Sequence, residues 1–297
     1  MDDPHSWDGD VLPILLRHNL DCWLYSFTEK GGIPPFYHQN GYLKKWCKFM
    51  EKSMLSATGI FVDFSGLRAL DNVSLSISTG EIVGLIGPNG SGKTTFVNAL
   101  TGQVKVSAGQ IICKDKDITG LPPNKIAYHG IARSFQIVRL FHELTVSENI
   151  ELAAIAQGAS RKSAKEIADE LMIKFDLTPF SDQLGHTLNY GDKRRVEIGR
   201  ALASQPQFIL LDEPAAGMNE AESDALLETL SRLPEEHQLG ILIIDHDMSL
   251  IMRLCSRLHV LDSGKTVGEG DVETVRKLPK VIEAYLGSSA KTEVDNA

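Results

Sequence analysis

Eight consecutive residues, Gly87, Pro88, Asn89, Gly90, Ser91, Gly92, Lys93 and Thr94, place glycines, a lysine and a hydroxyl at the spacing G-x-x-x-x-G-K-[ST]. Glycines let a backbone turn several N–H groups toward one point with no Cβ in the way. Lys93 adds a mobile full charge for outer phosphates, and the Thr94 hydroxyl is placed to ligate Mg²⁺. Thr95 follows at the same helix start, where unpaired amides and the positive dipole end favour an anion. A second chemical pair, Asp212-Glu213, closes the apolar run Phe208-Ile209-Leu210-Leu211. Asp212 is the candidate to hold Mg²⁺, directly or through water, and Glu213 the candidate base that orients or deprotonates an attacking water. A phosphate loop alone says nucleotide binding; with the paired carboxylates the chemistry is hydrolysis of a nucleoside triphosphate.

These residues need elements to aim them. The loop follows the apolar pentad Ile82-Val83-Gly84-Leu85-Ile86 and precedes Thr95-Phe96-Val97-Asn98-Ala99-Leu100, which reads as a helix start. Strand, glycine-rich turn and helix form the context that makes the motif specific. Residues 208–211 and 241–244 are continuous apolar runs fit for strands buried on both faces. Carboxylates after such a strand emerge at its C-terminal end, where open α/β sheets bind ligands. Residues 59–64 and 73–78 read as strands, the second alternating apolar and polar, and 108–112 as a further short strand. Pro122-Pro123 opens a helix to about His129, stopped by Gly130. From 137 to 188 the character is helical. Thr145 or Ser147 caps a helix through Ile155, with Glu148 as capping-box partner of Thr145. Residues 162–175 are amphipathic, with Ile167, Leu171 and Phe175 on one face. Further helices are expected from about Asp192 and over 219–233. A terminal hairpin turns about residues 262–265, and a helix through 281–286 closes the fold. Strands alternating with helices call for a mainly parallel α/β sheet, flanked by antiparallel strands and a helical side lobe.

The chain has 297 residues, a formal charge of −9 and four cysteines, Cys22, Cys47, Cys113 and Cys255, with no C-x-x-C. The acidic balance argues against a nucleic-acid partner. The cysteines read as incidental thiols. No apolar run approaches the roughly 18 residues that span a bilayer. Residues 1–53 hold all three tryptophans, Trp7, Trp23 and Trp46, and show no sustained period. They are either an accessory element packing through its aromatics or a poorly ordered stretch ahead of a true start at Met54, the second being favoured. The polar residues 288–297 are expected to be disordered.

Over about residues 55–287 the chain resembles an ABC-transporter ATP-binding subunit. Leu188-Asn189-Tyr190-Gly191-Asp192 stands where that family has its signature L-S-G-G-Q. Gln136 stands at the Q-loop, His246 at the switch histidine, residues 215–219 at the D-loop and Phe64 at the adenine-stacking position. The resemblance implies ATP as the nucleotide, with Phe64 on the adenine and Gln136 adding an oxygen to the Mg²⁺ held by Thr94 and Asp212. It implies that His246 and Gln136 assist Glu213 in catalysis. It also implies that Asn189, Tyr190, Gly191 and Asp192 face the ATP of a second subunit, in a head-to-tail sandwich. The implied fold is a P-loop core with an antiparallel β-subdomain and a helical subdomain at about 137–205.

Asn189, Tyr190 and Asp192 depart from the usual Ser, Gly and Gln, and Asn219 from the usual D-loop Asp. These departures resemble the ATPase subunits of branched-chain amino-acid importers, as do the strings 130–141 and 281–287. The implied partners are membrane permease subunits, a second ABC ATPase subunit (a heterodimer rather than a homodimer) and, indirectly, a solute-binding protein. The implied location is peripheral, on the cytoplasmic face of the inner membrane. Urea transport, lipid or lipopolysaccharide export and a non-transport ABC ATPase are the alternatives. The last is disfavoured by the single phosphate loop and the lack of sustained heptads. The guanine-reading N-K-x-D is absent after Asn124-Lys125.

Overall fold

The computed structural model describes residues 53–134, 138–279 and 281–282. Expectations for residues 1–52, for Gln136 and for the closing helix beyond Ile282 lie outside the described residues.

Two sheets carry the fold. The first is antiparallel, in the order β2-β1-β4-β5, from β1 (Met54–Phe64), β2 (Leu67–Ser78), β4 (Ala108–Cys113) and β5 (Lys116–Asp117). The second has the order β10-β9-β3-β8-β7-β6. Its members are β3 (Ile82–Ile86), β6 (Ile131–Arg133), β7 (Phe208–Asp212), β8 (Gly240–Ile244), β9 (Arg257–Asp262) and β10 (Lys265–Asp271). The pairs β3·β8, β3·β9, β7·β8 and β6·β7 are parallel, and the β9–β10 hairpin is antiparallel. Every residue of β3, β7 and β8 is buried, as expected of parallel strands covered on both faces. In register, Leu85 and Asp212 both pair with Ile244, so these three strands end level on one edge of the sheet.

The helices are α1 (Lys93–Leu100), α2 (Pro123–Tyr128), α3 (Val146–Ala156), α4 (Arg161–Lys174), α5 (Tyr190–Ala203), α6 (Glu220–His237), α7 (Met248–Leu254) and α8 (Val272–Val275). Helices α3, α4 and α5 pack on one another through Ile150, Ala168, Leu171, Phe175 and Val196. Thr145 and Glu148 form the expected capping box of α3.

Several boundaries differ from the sequence reading. Helix α5 starts at Tyr190, two residues before Asp192, because the Asn189 side chain accepts from the Asp192 N–H and caps the helix there. Helix α6 runs past Leu233 through Pro234 to His237. Pro234 has no N–H for the Leu230 carbonyl, and the helix ends one turn later at Gln238 in a left-handed conformation. Strands β5 and β6 and helices α7 and α8 were not foreseen. Strand β5 follows a turn in which Lys114 and Asp115 take positive φ without glycine, and β6 is three residues long with no alternation to read.

Asn149 fixes the segment that leads into α3. It is fully buried. Its Nδ2 donates to the carbonyls of Phe141 (3.0 Å), Leu144 (3.2 Å) and Thr145 (2.9 Å), and its Oδ1 accepts from the Phe141 N–H (2.9 Å). Replacement by alanine strands buried backbone groups. We expect Asn149→Ala to lower unfolding free energy by about 2–4 kcal/mol in urea titrations.

Candidate functional site

Residues 87–92 connect β3 to α1 through three glycines with positive φ: Gly87 (153°), Gly90 (80°) and Gly92 (103°). A Cβ on Gly87 would lie 2.1 Å from the Leu261 carbonyl oxygen, and one on Gly92 would lie 2.8 Å from Leu70 Cδ2. The loop is therefore wedged between strand backbones, and only glycine fits. The β9–β10 turn braces it from behind, where the Gly264 N–H donates to the Ser91 carbonyl (3.0 Å). No side chain caps α1 and no acid stands in its first turn. The Ser91 hydroxyl is buried without a partner among the described residues. Lys93 Nζ donates to the Gly87 (2.7 Å) and Pro88 (2.9 Å) carbonyls, which hold the ammonium over the loop. Burial lowers the Lys93 pKa, while the nearby charges of Asp212 and Glu213 raise it.

The two carboxylates stand beside this loop. Asp212 ends β7 and is buried, and burial pushes its carboxyl above the usual range, against the pull of Arg133. Arg133 Nη2 lies 3.3 Å from Asp212 Oδ2, and Arg133 Nη1 donates to Asn98 Oδ1 at 2.5 Å. Glu213 follows in a left-handed conformation, φ 48°, with its N–H bonded to the Ile244 carbonyl (2.7 Å). A non-glycine residue there costs roughly 1–3 kcal/mol and turns the side chain out of the strand line. His246 follows β8, and its Nδ1 donates to Glu213 Oε1 at 3.2 Å, since a carboxylate can only accept. Asp245 beside it is buried, with its carboxyl raised by burial.

The geometry thus brings the loop, Asp212, Glu213 and His246 to one sheet edge. Thr94 is exposed at the same helix start, with Thr95 half-buried, and Phe64 is exposed at the end of β1. Asn189, Tyr190, Gly191 and Asp192 sit elsewhere, at the start of α5. Gln136 lies outside the described residues. Two residues that sequence reasoning missed hold Asp212 and Glu213 in place, one by a carboxylate and one by backbone carbonyls. Arg133 is one. The other is Arg194, fully buried, whose Nη2 donates to the carbonyls of Asp212 (2.9 Å) and Glu213 (2.8 Å), while Nη1 pairs with buried Glu197 (2.8 Å). The available signal was a charged pair spaced i, i+3 among the apolar residues Val196 and Ile198.

The set fits a bound triphosphate with a hard cation. Glycine amides and a lysine are the kind of donors a phosphate takes, while the described residues hold no cluster of three or more metal-ligating side chains. Mg²⁺ characteristically takes one or two protein oxygens and completes its shell with phosphate and water.

Residues 70–216 match the ABC transporter family. The chain is 40% identical over 255 residues to the high-affinity branched-chain amino acid transport ATP-binding protein LivG of Escherichia coli, covering 81% of this chain and 100% of that one. It is 36% identical over 240 residues to the lipopolysaccharide export system ATP-binding protein LptB of Haemophilus influenzae, covering 80% and 99%. Among solved structures, the ADP conformation of MJ1267, an ATP-binding cassette of an ABC transporter, superposes with TM-score 0.70 at 31% identity, covering 80% and 99%. A dimeric post-hydrolysis state of the cassette MJ0796 bound to ADP and Pi gives TM-score 0.67 at 26% identity, covering 73% and 98%.

The raised carboxyl of Asp245 makes a pH test of the site. Its folded pKa lies above the ordinary 3.8. The folded form therefore binds the proton more tightly, and stability falls as pH rises through the folded value. Asp245→Asn keeps an acceptor for the Asp247 N–H and removes the charge. Thermal melts should show the variant more stable than wild type near neutrality, with the gap closing as pH drops toward 4.

Proposed function

The chain belongs to the ABC transporter family as an ATP-binding, ATP-hydrolysing subunit, and from this premise we propose that it drives import of branched-chain or related amino acids through separate permease subunits. The observation that carries the choice of solute is 40% identity to LivG along that protein's whole length. Among the described residues no helix is long and apolar enough to cross a membrane, and in this reading the path for solute lies in separate permease chains.

In this reading Phe64 stacks on the adenine, and the amides of residues 89–95 cradle the phosphates, with Lys93 neutralising the outer ones. Thr94, Asp212 and Gln136 would hold Mg²⁺, which when bound screens the phosphate charge and polarises the bond to be cleaved. Glu213 orients or deprotonates the attacking water, and His246 steadies the Glu213 carboxylate. The strained, twice-anchored backbone of Glu213 supports this role, because it fixes the carboxylate before substrate arrives.

The start of α5 is proposed to close the ATP site of a second subunit, with Asn189, Tyr190, Gly191 and Asp192 facing that nucleotide. The dimeric MJ0796 cassette supports such a sandwich. We favour pairing with a different ATPase subunit, a peripheral place on the inner face of the membrane and an external solute-binding protein as the source of solute. Lipopolysaccharide export is the second reading, supported by the 36% identity to LptB.

Glu213→Gln should keep MgATP binding and lose turnover by about a hundredfold or more, whereas Lys93→Ala should weaken binding itself. Nucleotide-binding titrations beside phosphate-release assays separate the two, and turnover near wild type in Glu213→Gln removes that residue from the base role. For the solute, labelled leucine uptake is compared in cells with and without the gene, with urea and other amino acids as competitors. Loss of leucine uptake on deletion supports the import reading. Unchanged uptake together with depleted surface lipopolysaccharide favours export.

A further inference from the structure

Tyr190 opens α5 with an exposed ring, where the family signature has glycine. The ring is not directed only at solvent. Its Cδ1 and Cε1 lie 2.9 Å from where a Cβ on Gly217 would stand, so the tyrosine is seated on the bare backbone of the D-loop of its own chain. Gly217 also has φ 76°, so both the conformation and the close approach demand glycine. A second contact runs beside it. A Cβ on Gly191 would lie 3.2 Å from Glu222 Oε2. That oxygen accepts from the Asn219 N–H (3.1 Å), while Asn219 Oδ1 accepts from the Glu222 N–H (3.0 Å) to cap α6. The first turn of α5 thus touches both ends of residues 217–222.

This turn leads back to the carboxylate. The Ala216 N–H donates to the Glu213 carbonyl (3.2 Å) and the Met218 N–H to the Ala215 carbonyl (3.2 Å), a tight run from Glu213 to the cap of α6. Residues of this run also line a cavity of about 370 Å³, with Ala215, Ala216 and Met218 beside Asp245 and His246. Close-packed neighbours fix a segment and a void does not. Ala215 and Met218 also pack on the apolar core, and the Tyr190 ring adds a hold on this segment from the α5 side, at Gly217.

We propose that Tyr190 is a positioning residue that links two nucleotide sites: its ring, seated on Gly217, ties the anion-facing start of α5 to the turn that carries the backbone of Glu213. The inference rests on the sandwich reading above, in which the start of α5 meets a partner's nucleotide. Engagement of that nucleotide would then be felt at the water-orienting carboxylate of the same chain. The link is made by ring area and needs no hydroxyl, so phenylalanine preserves it and alanine breaks it.

Two measurements on the full-length chain test it. Amide exchange of residues 215–219 is followed without nucleotide, and kcat and KM for MgATP are measured in the assembled transporter. Tyr190→Ala is expected to speed exchange at Ala216 and Met218 by about tenfold while residues 82–100 keep wild-type protection. It is also expected to lower kcat by about tenfold with little change in KM, as misplacement of a catalytic group does. Tyr190→Phe is expected to return exchange at Ala216 and Met218 to wild type, since the ring contact without the hydroxyl keeps its hold on the turn. Unchanged D-loop exchange in Tyr190→Ala, or kcat within about twofold of wild type, overturns the link. Wild-type chain that binds and turns over no MgATP overturns the sandwich reading instead, and the nucleotide-free exchange result still judges the contact by itself.

Discussion

One buried guanidinium holds the carboxylate end of the site to the helical lobe. Arg194 belongs to α5, yet its side chain spends its donors on the carbonyls of Asp212 and Glu213. Glu197, one turn along the same helix, balances the charge at 2.8 Å. A buried pair of this kind gains little over a well-packed apolar pair, but removing one partner costs about 3–5 kcal/mol, because the other charge is then stranded. Its value is geometric. A planar fork with several donors can reach two successive carbonyls at the end of β7 at once. The left-handed turn at Glu213 is thereby held from one side by Arg194 and from the other by the Ile244 carbonyl.

Charge at the sheet edge is arranged for a guest that brings more of it. Burial opposes ionisation of Lys93, Asp212, Arg133 and Asp245 alike. Each is an unfavourable placement in the protein alone, offset in part by its neighbours, and such perturbed charges cluster characteristically at functional sites. Lys93 leans on two loop carbonyls, which are weaker partners than a phosphate oxygen. His246 has spent Nδ1 on Glu213, so Nε2 is the nitrogen left for another group, as a donor only when both ring nitrogens carry protons.

The parts legible in the sequence were those written in local chemistry. The glycine loop, the apolar pentad before it and the carboxylates after 208–211 could be read from types and spacing, and the structure brings them to one edge because β3, β8 and β7 are neighbours. The Thr145–Glu148 box was readable for the same reason. What was not readable depends on partners far along the chain. Arg133 and Arg194 look like surface cations until Asp212, 79 and 18 residues away, takes them up. Strand β6 exists only because β7 offers it a parallel edge. Helix α5 starts two residues ahead of the expected position near Asp192, because the Asn189 side chain accepts from the Asp192 N–H, a bond that composition alone does not announce.

That choice of cap matters for the unusual signature. An acid in the first turn of α5 suits the helix dipole but would repel an approaching phosphate. Here the Asp192 carboxylate is buried and paired with Arg195 one turn on, so its charge is neutralised within the helix. Asn189 uses its Oδ1 on the Asp192 N–H, which leaves the amide NH₂ on the exposed side of the turn. A serine at that position would have a single proton to donate; asparagine caps with one atom and donates with another. Tyr190 and Gly191 then have no need to supply flexibility. One seats its ring on the neighbouring turn and the other lets Glu222 approach. Should the start of α5 meet a partner's nucleotide as proposed, its donors would come from a rigid frame, which costs less ordering on binding than a glycine pair would.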